Sequence, residues 1–81
     1  MSEELKVAVT LDMRGLLCPM PVVKIAQAIK DVEVGELIEA TATDPGVLAD
    51  IPAWARSSGN DLVVMEKLDN KEIRFVVRRV K

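Results

Sequence analysis

The chain contains one cysteine, and the residues around it limit what its thiol can do. Cys18 lies in the stretch RGLLCPMP, residues 14–21, after Gly15 and before Pro19 and Pro21. The absence of histidine from all 81 residues excludes a Cys–His catalytic pair and nearly every zinc site. A single cysteine also excludes an intrachain disulfide and a CxxC redox cycle. What remains is the chemistry of one thiol.

The residues after Cys18 predict an amphipathic helix from about Pro19 to Asp31, beginning at Cys18 or Pro19. Both prolines then lie in its first turn, where backbone N–H groups have no intrahelical partner and proline costs little. The partial positive charge of a helix N-terminus favours a thiolate. Arg14 and Lys24 would add to this effect if their side chains fold toward the sulfur.

Two interpretations of the thiol have to be compared, because an isolated cysteine is often a small buried hydrophobe. Gly15 before Cys18 and the prolines after it predict a turn at the surface, where a hydrophobe would be poorly buried. A thiolate needs no general base to attack an activated sulfur, hold it as a persulfide and release it to another thiolate. Peptide or ester hydrolysis would need a base and an oxyanion hole, for which the sequence offers no set of residues. We therefore favour a reactive thiol that exchanges sulfur.

Hydrophobic periodicity predicts the order βαβαββ for the elements that position Cys18. The predicted strands are KVAVTL (6–11), ELIEATAT (36–43), DLVVMEKL (61–68) and EIRFVVRRV (72–80). The last two form a hairpin with a tight turn at Asp69-Asn70. The second helix follows the turn DPG, and Pro52 predicts either a kink in it or a new helix start. Right-handed crossovers place both helices on one face of a four-stranded mixed sheet, which is a two-layer α/β sandwich.

Two surfaces of this predicted fold could contact other molecules. The sheet face away from the helices is predicted to be solvated, because charged residues alternate along the strands: Glu36, Glu39, Glu66, Lys67, Arg74 and Arg78. Near the thiol, an apolar collar either packs inward or serves for partner docking: Met13, Leu16, Leu17 and Met20.

Length and composition narrow the classes of function. Eighty-one residues suit a single domain over 1–81 with a mainly aliphatic core. A net charge of −2 and only two aromatic residues argue against nucleic-acid binding. That alternative ranks last and depends on four basic residues near the end: Arg74, Arg78, Arg79 and Lys81. No apolar run approaches the ~18 residues of a membrane span, and the opening MSEELKVAVTLD lacks a signal-peptide core. We expect a cytoplasmic protein without a membrane contact, cofactor or metal.

The segment LDMRGLLCPMPVVK resembles the signature of the TusA/SirA-like sulfur carrier proteins. Its matching residues follow the pattern D-x-x-G-x-x-C-P-x-P: Asp12, Gly15, Cys18, Pro19 and Pro21. The segment DPGVLADIPAWARSSGNDLV, residues 44–63, is similar to a second segment of that family. The predicted βαβαββ order agrees with the family's two-layer sandwich, so the resemblance covers nearly the whole chain.

The resemblance implies a sulfurtransferase-type carrier in which Cys18 is the persulfide acceptor. Pro19 and Pro21 would form a rigid first turn, and Gly15 and Asp12 would shape the loop. The implied partners are a cysteine desulfurase or rhodanese-like sulfur donor and a downstream sulfur-acceptor protein, serving tRNA thiolation, cofactor biosynthesis or sulfur metabolism. The alternative is a regulatory or redox-sensing interaction module that uses Cys18 without transferring sulfur.

Two positions depart from the family pattern. Ala55 stands where some members have another cysteine, which excludes behaviour that requires a second thiol. Leu17 precedes Cys18 where many members carry Arg or Lys, so a cation that would favour the thiolate is missing.

Overall fold

The computed structural model describes residues 7–81, whose elements follow the predicted order. The strands are β1 (Val7–Met13), β2 (Leu37–Ala42), β3 (Asp61–Lys67) and β4 (Ile73–Arg78). The helices are α1 (Met20–Ala28), which continues into a 3₁₀ turn at Ile29–Asp31, and α2 (Val47–Ser58). The predicted strand start at Lys6 and the acidic opening of the chain lie outside the described residues.

The four strands form one mixed sheet with the order β1-β2-β4-β3. β1 and β2 are parallel, whereas β4 is antiparallel to both of its neighbours. Since parallel strands cannot be joined by a tight turn, α1 provides the crossover between β1 and β2. Both helices pack on the same face of the sheet, where Ile25 of α1 and Ile51 of α2 have no exposed surface. The predicted two-layer α/β sandwich is confirmed.

The core lies between the helices and the two central strands. Ile38 of β2 and Phe75 of β4 are 0% exposed and belong to the same apolar cluster as Ile25 and Ile51. Fully burying a side chain of this size stabilises the fold by about 1.5–3 kcal/mol relative to leaving it in water. Aliphatic side chains surround the single phenylalanine, as the composition predicts.

α2 runs as one helix through Pro52, so of the two predicted alternatives, a kink or a new helix start, the new start is wrong. Proline removes the hydrogen bond that its N–H would have donated to the Leu48 carbonyl. Leu48 is exposed, so this missing bond lies on the side of the helix away from the core. Ile51 and Ala55 are buried on the opposite side and hold both halves of the helix against the sheet. Packing outweighs the local cost of the proline.

The turn between β3 and β4 is longer than the predicted Asp69-Asn70 turn. Leu68 donates its N–H to the carbonyl of Glu72 at 2.7 Å, which closes a wider loop. The positive φ falls on Lys71, at 68°, and not on the dipeptide. Asn70 instead accepts a hydrogen bond from the Glu72 N–H through its side-chain oxygen, a common use of asparagine in turns.

Both outer strands of the sheet are irregular. The register shifts between Val7 and Val9 in β1 and between Leu62 and Val64 in β3. Such bulges increase the local twist and interrupt the regular pattern of backbone groups along a strand.

The sheet face away from the helices carries paired charges. Arg74, in the central strand β4, contacts Glu39 on one neighbouring strand and Glu66 on the other. At the far end of β4, the Arg78 guanidinium lies 3.9 Å from the Asp61 carboxylate. The face predicted to be solvated thus carries charges, and most of them form ion pairs with side chains of the neighbouring strand.

Two of the charged residues assigned to this face lie elsewhere. Lys67 pairs in register with Ile73, whose side chain belongs to the core on the helix side, and Glu36 precedes β2. The C-terminal Arg79 turns inward and donates hydrogen bonds to the carbonyls of Val32 and Lys81. These contacts further weaken the case for a basic stripe that binds nucleic acid.

Candidate thiol site

Cys18 is exposed in the loop that joins β1 to α1. Pro19 is the N-cap residue of α1, and Pro21 is buried at the second helical position. The Cys18–Pro19 peptide bond is cis. The thiol therefore lies at the surface, as predicted, but just before the helix and not within its first turn.

Gly15 and Asp12 fix the first half of this loop. Gly15 has φ +84°, a conformation that other residues rarely adopt, and donates its N–H to Thr43 Oγ1 at 2.9 Å. Asp12 accepts hydrogen bonds from the backbone N–H of Arg14 at 3.2 Å and from its Nε at 2.8 Å. These bonds lower the pKa of Asp12 to about 2, so the pair stays ionised in neutral and mildly acidic solution. The loop is held both internally and to the end of β2.

The carboxylate of Asp44 fixes the second half of the loop. One of its oxygens accepts a hydrogen bond from the Cys18 N–H at 2.7 Å, and the other accepts one from the Gly46 N–H at 3.0 Å. Gly46 is the N-cap residue of α2. A single side chain thus ties the backbone of the cysteine to the start of the second helix.

Asp50, in the first turn of α2, contacts the sulfur itself. The Cys18 thiol donates a hydrogen bond to Asp50 Oδ2, with 3.0 Å between Sγ and the oxygen. This hydrogen bond to a carboxylate raises the pKa of Cys18, and desolvation and the negative charges of Asp50 and Asp44 act in the same direction. The prediction that the helix N-terminus lowers this pKa is wrong, because the thiol precedes α1 and faces carboxylates of α2 and its preceding turn.

Arg14 and Lys24 do not assist the thiol as the sequence suggested. Arg14 directs its guanidinium to Asp12 and, at 3.5 Å, to Glu72. Lys24 is exposed and forms no ion pair within residues 7–81. In the same part of the chain, the charged groups that shift the pKa of Cys18 are the two aspartates.

The predicted apolar collar divides into a buried half and an exposed half. Met13 is 1% exposed, and Leu16 packs partly against the core. Leu17 and Met20 are 72% and 41% exposed, and Val23, one helical turn after Met20, is 38% exposed. We call Leu17, Met20 and Val23 the thiol-side patch. Leu17 is next to Cys18 in the chain, so the exposed apolar surface begins beside the cysteine.

Two further features are absent from the residues that the structure describes. Over residues 7–81 there is no group of three His, Cys, Asp or Glu side chains placed to hold a metal ion. Within the same range, no helix has the length and apolar character to cross a bilayer. The ionisable groups in contact with Cys18 are the carboxylates of Asp44 and Asp50.

Comparison with protein-family models gives a match to Sulfurtransferase TusA over residues 9–79. The chain belongs to the TusA family. It is 41% identical over 77 residues to the sulfur carrier protein TusA of Pseudomonas syringae, covering 95% of this chain and 90% of that protein. YrkF of Bacillus subtilis is 45% identical over 75 residues, which cover 93% of this chain. The chain spans 40% of the length of YrkF and 38% of that of a relative from Aquifex aeolicus.

A solved structure has the same fold as this TusA-family chain. The crystal structure of a SirA-like protein from Desulfitobacterium hafniense superposes with a TM-score of 0.79, covering 90% of this chain and 99% of that one. The sequence identity is 20%, so this likeness concerns the fold alone.

Asp44, Asp50 and Thr43 are the site residues of this TusA-family chain that sequence reasoning missed. From the sequence, Asp44 is only the first residue of a turn, and nothing marks Asp50 as a partner of Cys18. The available signal was the second matching segment, residues 44–63, which contains both aspartates. The loops after β1 and β2 are neighbours because the carboxyl ends of parallel strands meet at one edge of the sheet.

Ala55, the position at which some members have a second cysteine, is 3% exposed on the buried side of α2. Its side chain faces the core and not the thiol loop. In this TusA-family chain, the surface chemistry of the site therefore depends on Cys18.

Proposed function

We propose that this chain is a sulfur carrier in which Cys18 accepts sulfane sulfur as a persulfide and passes it to an acceptor protein. The observation that carries the proposal is the placement of an exposed thiol in a loop whose backbone is tied on both sides, by Gly15 to Thr43 and by Cys18 to Asp44. A fixed, accessible sulfur suits exchange between large partners, because exchange needs a thiol within reach and little else. Family membership supports the same role.

The competing function, redox sensing by Cys18, is less well supported, because the pKa of the thiol is raised. Sensor cysteines are typically accessible thiols of low pKa beside a resolving cysteine. Here the carboxylates raise the pKa of the thiol, and the chain has no second cysteine. Such a thiol should react slowly with peroxide in solution, because little of it is thiolate. It can still take up sulfur inside a complex with a donor, where the two sulfurs are held together.

The partners we propose are a persulfide-bearing donor, either a cysteine desulfurase or a rhodanese-like protein, and a downstream protein thiol that receives the sulfur. We further propose a cytoplasmic setting, since a lone exposed thiol stays reduced there. The thiol-side patch provides an apolar surface next to the reacting sulfur that both partners could cover in turn.

The proposal is tested by the intact mass of the purified protein after incubation with a cysteine desulfurase and free cysteine, and separately with a rhodanese and thiosulfate. We expect a gain of about one sulfur atom, ~32 Da, that dithiothreitol removes. Protein first alkylated with iodoacetamide serves as the control and should gain nothing. An unchanged mass with both donors would contradict the carrier function.

Leu17→Ser is expected to slow loading from a protein donor without affecting stability. Its side chain is 72% exposed, so the free energy of unfolding should change by no more than about 0.5 kcal/mol. Loss of an apolar interface contact worth about 1 kcal/mol corresponds to a loading rate about fivefold lower when the donor is not saturated with carrier. Single-turnover loading measured by mass spectrometry checks this prediction.

Val34→Ser is the matched control, because Val34 is 63% exposed but lies in the connection between α1 and β2, after the helix and not before it. This variant should load at the wild-type rate. Equal slowing in the two variants would show that the effect is not specific to the thiol-side patch.

A further inference from the structure

The contact between Cys18 and Asp50 places a reacting sulfur against a group that can take its proton. Sγ and Oδ2 are 3.0 Å apart, within the range at which a side chain exchanges a proton with a reacting atom. Asp50 is half-buried in the first turn of α2, and its N–H bonds to the Gly46 carbonyl, so the carboxylate is held on a regular element. A thiol that only needed to be exposed would not require this partner.

We propose that Asp50 is a catalytic residue, which accepts the Cys18 proton when sulfur is loaded and returns it when sulfur is delivered. The inference rests on the proposed carrier function. It assigns a role to a residue outside the D-x-x-G-x-x-C-P-x-P segment, on the second helix.

Loading starts from the neutral thiol and the Asp50 carboxylate. The Cys18 sulfur attacks the outer sulfur of the donor persulfide R–S–SH as its proton passes to Asp50. A bond forms between Cys18 Sγ and the outer sulfur, and the bond between the two donor sulfurs breaks. The products are Cys18–S–SH, the donor thiolate R–S⁻ and protonated Asp50. The Cys18 sulfur is oxidised and the inner donor sulfur is reduced, so no external oxidant is required.

Delivery is the reverse of this step with a different partner. An acceptor thiolate attacks the outer sulfur of Cys18–S–SH, and the bond to Sγ breaks while Asp50 returns its proton to Sγ. The products are an acceptor persulfide, the neutral Cys18 thiol and the Asp50 carboxylate. A thiol of raised pKa is a poor leaving group as a bare thiolate, because leaving ability falls as the pKa rises. Protonation by Asp50 removes this difficulty.

The charges that act on the Cys18–Asp50 pair come from carboxylates. Asp44 lies on the turn before α2 and adds negative charge, Arg14 of the same loop is occupied by Asp12 and Glu72, and Lys24 of α1 forms no ion pair within residues 7–81. Over residues 7–81, Asp50 is therefore the charged group that contacts the sulfur and is placed to take its proton.

The test compares two rates in wild type, Asp50→Asn and Asp50→Glu: alkylation by iodoacetamide across pH, and single-turnover loading from a cysteine desulfurase with free cysteine. In Asp50→Asn the negative charge is gone, so the alkylation profile should move to lower pH and alkylation at pH 7 should be faster. Loading at pH 7 should nevertheless be slower by about tenfold or more, as expected for loss of an acid–base group. Asp50→Glu keeps a carboxylate and should recover part of the loading rate.

Asp31→Asn is the matched control, because it makes an equal change of charge at the end of the 3₁₀ turn. It should leave both the alkylation rate and the loading rate unchanged.

Faster alkylation together with slower loading in Asp50→Asn supports proton transfer by Asp50. A purely structural role would slow both reactions. Faster loading in proportion to faster alkylation would overturn the inference and leave Asp50 as a group that only keeps the thiol neutral. Unchanged rates would show that the hydrogen bond has no role. If the wild type takes up no sulfur, the proposed carrier function is wrong, and so is the role assigned to Asp50. If the wild type and Asp50→Asn load at the same rate, only the role assigned to Asp50 is wrong. Thermal unfolding confirms that each variant is folded.

Discussion

Cys18→Ser is expected to take up no sulfur from either class of donor while remaining as stable as the wild type. Serine cannot form a persulfide, so the loss of loading should be complete. Cys18 is exposed and absent from the core cluster, and the serine hydroxyl can donate the same hydrogen bond to Asp50. We therefore expect the free energy of unfolding to stay within about 0.5 kcal/mol of the wild-type value.

Intact mass after incubation with the donor and urea unfolding followed by Trp54 fluorescence check the two halves of this prediction. A folded Cys18→Ser protein that still gains sulfur would show that the mass increase comes from bound sulfur and not from Cys18. A strongly destabilised variant would mean that the cysteine contributes to packing, which the exposed position contradicts.

Phe75→Ala is expected to cost about 3–5 kcal/mol in the free energy of unfolding, since it removes a buried aromatic ring and leaves a cavity. Phe75 is 0% exposed in the central strand β4, between the hairpin partner β3 and the parallel pair. A chain of 81 residues has a total stability of roughly 4–12 kcal/mol, so the substitution should remove at least about a quarter of it.

Urea denaturation monitored by circular dichroism measures this loss. Val80→Ala removes an apolar side chain that is 43% exposed beyond the end of β4, and it should change the stability by less than about 0.5 kcal/mol. A Phe75→Ala protein with near wild-type stability would contradict the description of the core.

The fold could be predicted from the sequence to the level of element order because the periodicity changes clearly between strand and helix. Val7, Val9 and Leu11 alternate, whereas Val22, Ile25 and Ile29 recur at helical spacing. The errors are at Pro52 and in the β3–β4 turn, where local preference competes with packing. Proline argues against a continuous helix, but the burial of Ile51 and Ala55 on the sheet decides the outcome.

The candidate site could be predicted only in part, because half of it lies on another element. The glycine and prolines around Cys18 indicate an exposed thiol from local chain geometry. The sign of the pKa shift depends on Asp44 and Asp50, which are 26 and 32 residues away along the chain. They approach Cys18 because β1 pairs in parallel with β2, which brings the loop before α1 next to the start of α2. Short-range sequence patterns do not predict that contact.

The irregular register in both outer strands affects how readily one copy of this protein pairs with another at high concentration. An open sheet ends in two rows of backbone groups that a neighbouring molecule can extend into a continuous sheet, and bulges are one of the features that prevent this. A carrier that holds one sulfur atom at a time is consumed and regenerated on every delivery, so the flux it supports grows with its abundance. For the proposed carrier function, sheet edges interrupted by bulges would favour a high abundance of separate chains over edge-to-edge pairing.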